Sequence, residues 1–451
     1  MTGLLLAAIL TPVGASVAVL IAGWRRASAT LILLSAVTVL ACAVALAFRV
    51  GSGARLAFGG LLRVDALTVT MLIVIGTVAT LATWASIGYL DAELAHGHTD
   101  MRGARVYGAL TAAFLAAMVV AVCANNIGVI WIAIEATTVI TAFLVGHRRT
   151  RTALEATWKY VVICSVGIAI AFLGTVLLYY AAEHAGAPAA AALNLDVLTA
   201  HAGVLNPDIA RLAGGLLLIG YGAKVGLFPF HTWLADAHSQ APAPVSALMS
   251  GVLLSVAFSV LIRLKPIVDA AAGPSFMRSG LLVIGLATLV VSALMLTVTP
   301  DLKRMLAYSS MENMGLIAIA AAAGTTLAIA ALLLHVLAHG ERHPDQAGAP
   351  QHRADVSDRG GVVGGLQLAA RQEEDRLADA VGEDVQQQRS DGKRGSGRRG
   401  DCDQTHVLHR GVGEHSFEVR CHRQHQGRDH QCREPDHQQA RSHEAGPGGR
   451  V

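Results

Sequence analysis

The sequence predicts an all-α fold, a polytopic transmembrane helix bundle followed by a disordered polar tail. Three observations lead there. Of 451 residues, 53% are hydrophobic and 15% charged, where a soluble domain carries about 25% charge. Apolar runs recur along the chain, each near the ~20 residues a helix needs to cross the hydrocarbon core. The charge is also unevenly placed: residues 1–339 hold 31 Asp, Glu, Lys and Arg, whereas 340–451 hold 36 in 112 residues. All Trp, Tyr and Met lie before that seam, and ten of the 19 His lie after it. The two parts cannot share one physical environment. Six Cys without a C-x-x-C pair exclude a disulfide scaffold, and a net charge of +3 leaves no footprint for nucleic acid.

The apolar runs are approximately 3–23, 28–48, 64–90, 106–124, 127–146, 158–181, 209–230, 244–264, 279–299 and 306–323, with an eleventh from about 325 to 339. They are rich in Ala, Leu and Val without period-2 alternation, which selects helices over a closed barrel in lipid. The first lacks a basic leader, since Arg25 and Arg26 follow it, so it does not read as a signal peptide. The third opens with Asp65, a cap or interface residue. With the N-terminus outside, nine loop Lys and Arg fall inside against seven outside, a slight preference for that orientation.

An ionisable residue near mid-bilayer costs roughly 2.5–3.5 kcal/mol on insertion scales and marks a functional site by default. Glu135 sits about eight residues from either end of the fifth run. It reads either as a charge partner in an ion pathway or as a protonated acid bonded to a neighbouring helix. Lys224 lies in the seventh run among Gly220, Gly222, Gly226 and Pro229. Glycine weakens a helix and proline removes a donor, so an unwound or kinked segment around the lysine is expected, tolerated at membrane depth where it lines a polar cavity or is buried. Such a lysine can load and release a proton; snorkelling to an interface is the alternative. His335 and His339 share one face of the eleventh run. They offer only two ligands to a metal, so a proton relay or a plain polar contact fits better than zinc. His231, Lys159 and Tyr221 are weaker candidates: the first two lie near interfaces, and Tyr221 precedes Lys224 by one turn. His238, in the loop after the seventh run, is another near an interface. No catalytic, cofactor or metal site is visible.

The stretches NNIGVIWIAIEATTVITAFLVG, ALEATWKYVVICSVGIAIAFLGTVLLYY, GYGAKVGLFPFHTWLADAHSQAPAPVSALMSGVLL and DLKRMLAYSSMENMGLIAIA resemble the antiporter-like proton-channel subunits shared by respiratory complex I, sodium/proton antiporter complexes and membrane-bound nickel–iron hydrogenases. The resemblance covers nearly all of 60–339. The phrasing E-A-T-T and L-E-A-x-W-K-Y is most similar to the F component of hydrogenase-4 and related formate hydrogenlyase complexes. It implies about fourteen helices with two inverted five-helix repeats and broken helices. Here that would mean N-terminal helices at 1–105, a first repeat at 106–264, a partial, truncated second repeat at 265–339 and a low-complexity tail at 340–451. Tyr160 and Gly167 echo in Tyr308 and Gly315, each pair seven apart. The resemblance also implies that Glu135 pairs with Lys224. Ser255 stands where an eighth-helix lysine is often found, and His335 matches an eleventh-helix histidine.

The implied function is proton translocation, coupled electrostatically to redox chemistry elsewhere in a hydrogenase-4-like or NADH dehydrogenase-like complex. Partners would be other membrane subunits, a hydrogenase or dehydrogenase module and the lipid bilayer, in the plasma membrane of a prokaryote. Nickel–iron and iron–sulfur centres would belong to those partners. The alternatives are a subunit of a sodium/proton antiporter complex, a stand-alone quinone-linked dehydrogenase module, or a structural membrane subunit without transport. After His339 the resemblance stops, and the twelfth-helix lysine it would bring does not follow. The composition from 340 is that of a GC-rich gene read out of frame, which is the expectation here, with a native disordered cytoplasmic tail as the alternative. On the first reading this chain is poorly inserted or inert.

Overall fold

The computed structural model describes residues 1–51 and 53–342, without the side chains of 326 and 337–342. The expectations for 340–451 therefore lie outside the described residues, apart from the backbone of the last helical turn. In chain order come helices α1 (Thr2–Ala22), α2 (Arg26–Ala47), a hairpin of β1 (Arg55–Ala57) and β2 (Leu62–Val64), α3 (Ala66–Ala95), α4 (Met101–Cys123), α5 (Ile127–Val145) and α6 (Arg151–His184). Then follow α7 (Leu195–His201), α8 (Pro207–Val225), α9 (Thr232–Gln240), α10 (Ala243–Leu248), α11 (Leu254–Ala272), α12 (Pro274–Val298), α13 (Leu302–Ala323) and α14 (Thr326–Arg342). A π-helical turn, Met249–Leu253, joins α10 to α11.

The apolar runs become helices with ends moved by a few residues. Local chemistry sets several starts, because a side-chain oxygen takes up an otherwise orphaned amide. Asp65 accepts from Thr68, Asp100 from Gly103, Asn126 from Gly128 and Val129, Thr150 from Ala153, and Asn206 from Asp208 and Ile209. Eight helical units among the described residues are long and apolar enough to cross a membrane: α1 to α6, the α10–α11 unit and α12. α8 is 19 residues long and carries Asp208, Arg211 and Lys224, and α14 has a short apolar stretch, 327–336. The hairpin, α7 and α9 have no counterpart among the apolar runs.

Small residues let helix pairs approach closely, as lipid-embedded packing requires. A Cβ on Gly220 of α8 would lie 2.6 Å from the Ala171 amide and the Gly167 carbonyl of α6. On α12 and α13, a Cβ on either Gly285 or Gly315 would lie 3.1 Å from the other's carbonyl. The Gly167/Gly315 echo is therefore one of close packing. Its tyrosines differ: Tyr160 is buried and Tyr308 half-buried. The boundaries at 105 and 264 fall within one compact unit, in which α1 packs on α4, and α3 on α10 and α14.

Candidate functional site: a buried lysine at a helix break

Lys224 is fully buried in the last turn of α8. The break expected around it falls just past it, on the side of Gly226 and Pro229. The helix runs regularly through Gly220 and Gly222 and ends at Val225; the break occupies Gly226–His231. Gly226 takes a left-handed conformation (φ 79°), and the Leu227 amide reaches back to the Gly222 carbonyl at 2.9 Å. This is the αL termination that glycine makes cheap. The Phe228–Pro229 peptide is cis.

Backbone groups freed by the break find partners, as burial in lipid demands. The Phe228 amide donates to Thr288 Oγ1 of α12 at 3.0 Å. The fully buried Trp233 of α9 donates its indole N–H to the Ala223 carbonyl, also at 3.0 Å. The Trp233 ring meets the Tyr160 ring edge-on at 5.0 Å. One aromatic side chain thus closes the broken turn and walls the lysine.

The ammonium donates to Tyr160 Oη of α6 at 2.6 Å and to Thr138 Oγ1 of α5 at 2.9 Å. It also lies 4.8 Å from the Tyr160 ring centroid, within cation–π reach. Glu135 sits one turn before Thr138 on α5. Its Oε1 accepts from Ser165 of α6 at 3.1 Å, and its Oε2 is buried without a partner. Glu135 and Lys224 thus border the same α5–α6–α8 junction but form no ion pair among those of the described residues. The expected direct pairing is corrected to two charges held apart, each on a hydroxyl. The reason is geometric: α5 presents Thr138, rather than Glu135, to the end of α8.

The other sequence candidates scatter. Tyr221 is buried a turn before Lys224, but the phenol on the ammonium is that of Tyr160. Lys159 is half exposed and bridges Glu155 (2.7 Å) and Asp236 of α9 (2.9 Å), a carboxylate that Arg304 of α13 also reaches at 3.1 Å. It ties helix ends together at the surface and does not enter the buried site. His231 precedes α9, half-buried, its ring stacked on Phe228 at 5.9 Å and its Nδ1 buried without a partner. Ser255 is buried on α11, two residues past the π-turn, its hydroxyl without a partner. His335 of α14 meets Asn313 of α13 at 2.9 Å through Nε2. The His339 side chain lies outside the described ones.

Further buried polar groups sit on α9, α10, the π-turn and α13. His238 meets Ser246 Oγ at 2.9 Å through Nδ1, and Ser250 of the π-turn bonds Ser310 of α13. Glu312, half-buried on α13, is an acid inside an apolar run, the same signal that selects Glu135, and the sequence reading passed over it. Thr138, Tyr160 and Ser165 were also missed. The E-A-T-T phrase placed a hydroxyl three residues after Glu135, but nothing local linked it to Lys224.

Residues 124–342 match the family described as NADH:quinone oxidoreductase/Mrp antiporter, transmembrane. The hydrogenase-4 component F homolog of Methylacidiphilum infernorum is 39% identical over 283 residues, which are 62% of this chain and 59% of the relative. The chain thus spans about three fifths of that relative's length. A chain of an archaeal membrane-bound sulfane sulfur reductase superposes with a TM-score of 0.66 at 21% identity, covering 76% of this chain and 69% of its own. One from respiratory complex I of Thermus thermophilus gives 0.58 at 22% identity, covering 75% and 69%. At such identities the likeness speaks for the fold. The antiporter-like segment holds Glu135, Lys224 and His335, and the chain is a multi-span membrane protein.

Proposed function

We propose that the antiporter-like segment of this chain is built to carry protons across the plasma membrane of a prokaryote, as part of a membrane subunit of a hydrogenase-4-like or NADH dehydrogenase-like complex; whether the 451-residue chain itself conducts or is inert, as an out-of-frame tail would make it, is an outcome of the test. The observation that supports this most is Lys224: a fully buried cation with hydroxyls for partners, at a helix break inside the antiporter-like segment. Burial of an ammonium without a carboxylate is costly, and such a cost persists where the charge is meant to come and go.

On this reading Lys224 Nζ holds the proton. Thr138 already donates its own hydrogen to the Ile134 carbonyl at 3.3 Å, so it anchors the ammonium, and Tyr160 is the partner that passes the proton on. Glu135, held by Ser165, acts on Lys224 through the field. When its charge rises or falls, the affinity of Nζ for its proton follows, by 1.36 kcal/mol for each pKa unit. From there the buried His238–Ser246 and Ser250–Ser310 contacts and the half-buried His335 imidazole, oriented by Asn313, carry the relay, with internal water bridging to the Ser255 hydroxyl. The hydroxyl chain takes the part that a further lysine plays elsewhere. Redox energy, together with nickel–iron and iron–sulfur centres, belongs to partner subunits.

The test is proton flux in vesicles containing the assembled complex. Lys224→Ala and Glu135→Gln should each abolish coupled flux while the subunit still assembles. Unchanged flux in both would leave a structural subunit. A flux that follows an imposed sodium gradient would instead favour the antiporter reading, which the family description also supports.

A further inference from the structure

Far from Lys224 along the chain, the β1–β2 hairpin, α3, α7 and α11 border an open pocket of about 220 Å³ lined by Arg63, Asp65, Leu67, Leu195, Thr199, Ile262, Arg263 and Pro266. Two guanidinium groups and one carboxylate leave this lining with one net positive charge. The carboxylate is saturated. Asp65 Oδ2 accepts from Arg263 at 2.7 Å and Arg63 Nε at 2.9 Å; Oδ1 accepts from the Thr68 amide and hydroxyl at 2.8 and 2.9 Å and from Arg263 at 3.3 Å. Arg263 also donates to Thr68 Oγ1 and the Val122 carbonyl. Arg63 is engaged through Nε, and its two terminal amino groups appear in no described hydrogen bond. The remaining walls are mostly apolar.

We propose that this cavity binds a phosphate group, with Arg63 as its forked donor. The chemistry fits on three counts. The lining carries an excess cation that the local acid cannot neutralise further. A guanidinium offers paired N–H groups matched to phosphate oxygens. The Leu67, Leu195, Ile262 and Pro266 walls suit the apolar margin of an amphiphile. The volume admits a headgroup and excludes a whole lipid, and the site lies beside the N-terminal cap of α3, where a spanning helix begins. The phosphodiester of an anionic phospholipid and free inorganic phosphate share this chemistry. Neither depends on the Lys224 reading, so this site stands or falls separately.

The test uses the full-length chain in detergent. Native mass spectrometry would count retained phosphatidylglycerol against diacylglycerol, which lacks the phosphate, and thermal unfolding would be followed with inorganic phosphate alone. Phosphatidylglycerol should be retained about tenfold more strongly than diacylglycerol, the factor expected of one charge-assisted contact. Arg63→Gln should erase the preference. Thr199→Tyr, which adds bulk to the lining at a residue outside the ion pairs, should do the same in a protein that melts normally. Stabilisation by inorganic phosphate that Arg63→Gln removes would identify a soluble anion; a response confined to phosphatidylglycerol would identify the lipid. Equal retention of both lipids with no phosphate response, or a preference that survives both substitutions, overturns the proposal.

Discussion

Two buried cations of this chain are treated in opposite ways. Arg263, its side chain 6% exposed, meets Asp65 through both terminal nitrogens and adds Thr68 and the Val122 carbonyl. Its charge is cancelled and its donors are largely used. Lys224, 0% exposed, has two hydroxyls and no carboxylate bonded to it. Burial is common to both and does not distinguish them. The missing counter-charge does: a neutralised cation braces a fold, whereas a solvated but uncancelled one can change charge without the fold coming apart.

Substitutions that trade each cation for an apolar side chain of similar length put this contrast at greatest risk. Lys224→Met should abolish proton flux through the assembled complex. It should leave thermal stability in detergent unchanged or raised, by up to about 4 kcal/mol, because it removes an uncompensated desolvation cost. Arg263→Met should do the reverse. It leaves the Asp65 carboxylate to Arg63 and Thr68 alone and should cost about 1.5–3 kcal/mol, seen as a lower melting temperature and poor yield. A strongly destabilised Lys224→Met would erase the distinction.

Tyr160→Phe sharpens the comparison at the lysine end. It deletes the shorter of the two ammonium bonds and keeps the ring. Flux should fall about tenfold, as for one lost charge-assisted bond, while Thr138→Val should disturb binding of the ammonium more than proton passage. Equal flux in Tyr160→Phe and the parent would remove Tyr160 from the path. At the arginine end, acidification is the probe. Burial alone would raise the Asp65 carboxyl, but the Arg263 guanidinium, aided by Arg63 and Thr68, holds it well below the usual carboxylate range. A depressed carboxylate contributes stability above its unfolded pKa and loses it only as pH falls through the folded value. Lowering the pH from 7 to 5 should therefore leave this end intact, whereas Asp65→Asn should lower the melting temperature already at pH 7. The smallest effect belongs to Lys159→Gln. Its pairs with Glu155 and Asp236 are screened by solvent, so their loss should leave both the melting temperature and the flux near normal.

Much of this was legible beforehand. Glu135 and Lys224 announced themselves as ions in apolar runs, and glycine with proline located a break within a few residues. What escaped notice was everything relational. Tyr160 is 64 residues from Lys224, and Asp65 is 198 from Arg263. The hairpin and α7 lie between apolar runs, where no periodicity marks them. Glu312 is the exception, since its signal was local and simply went unread.

By itself the sequence determined which segments enter lipid, because transfer free energy sums over neighbouring residues whatever they pack against. It also determined where α8 stops, because a left-handed glycine and a donorless proline act on their own backbone. Only the tertiary structure decided that Lys224 rests on Thr138 and Tyr160 while Glu135 turns to Ser165, and that Asp65 belongs to Arg263. Those choices depend on the rotation and close approach of helices joined through Gly167, Gly220 and their neighbours, and a hydrogen bond is won or lost over a fraction of an ångström that no linear pattern encodes.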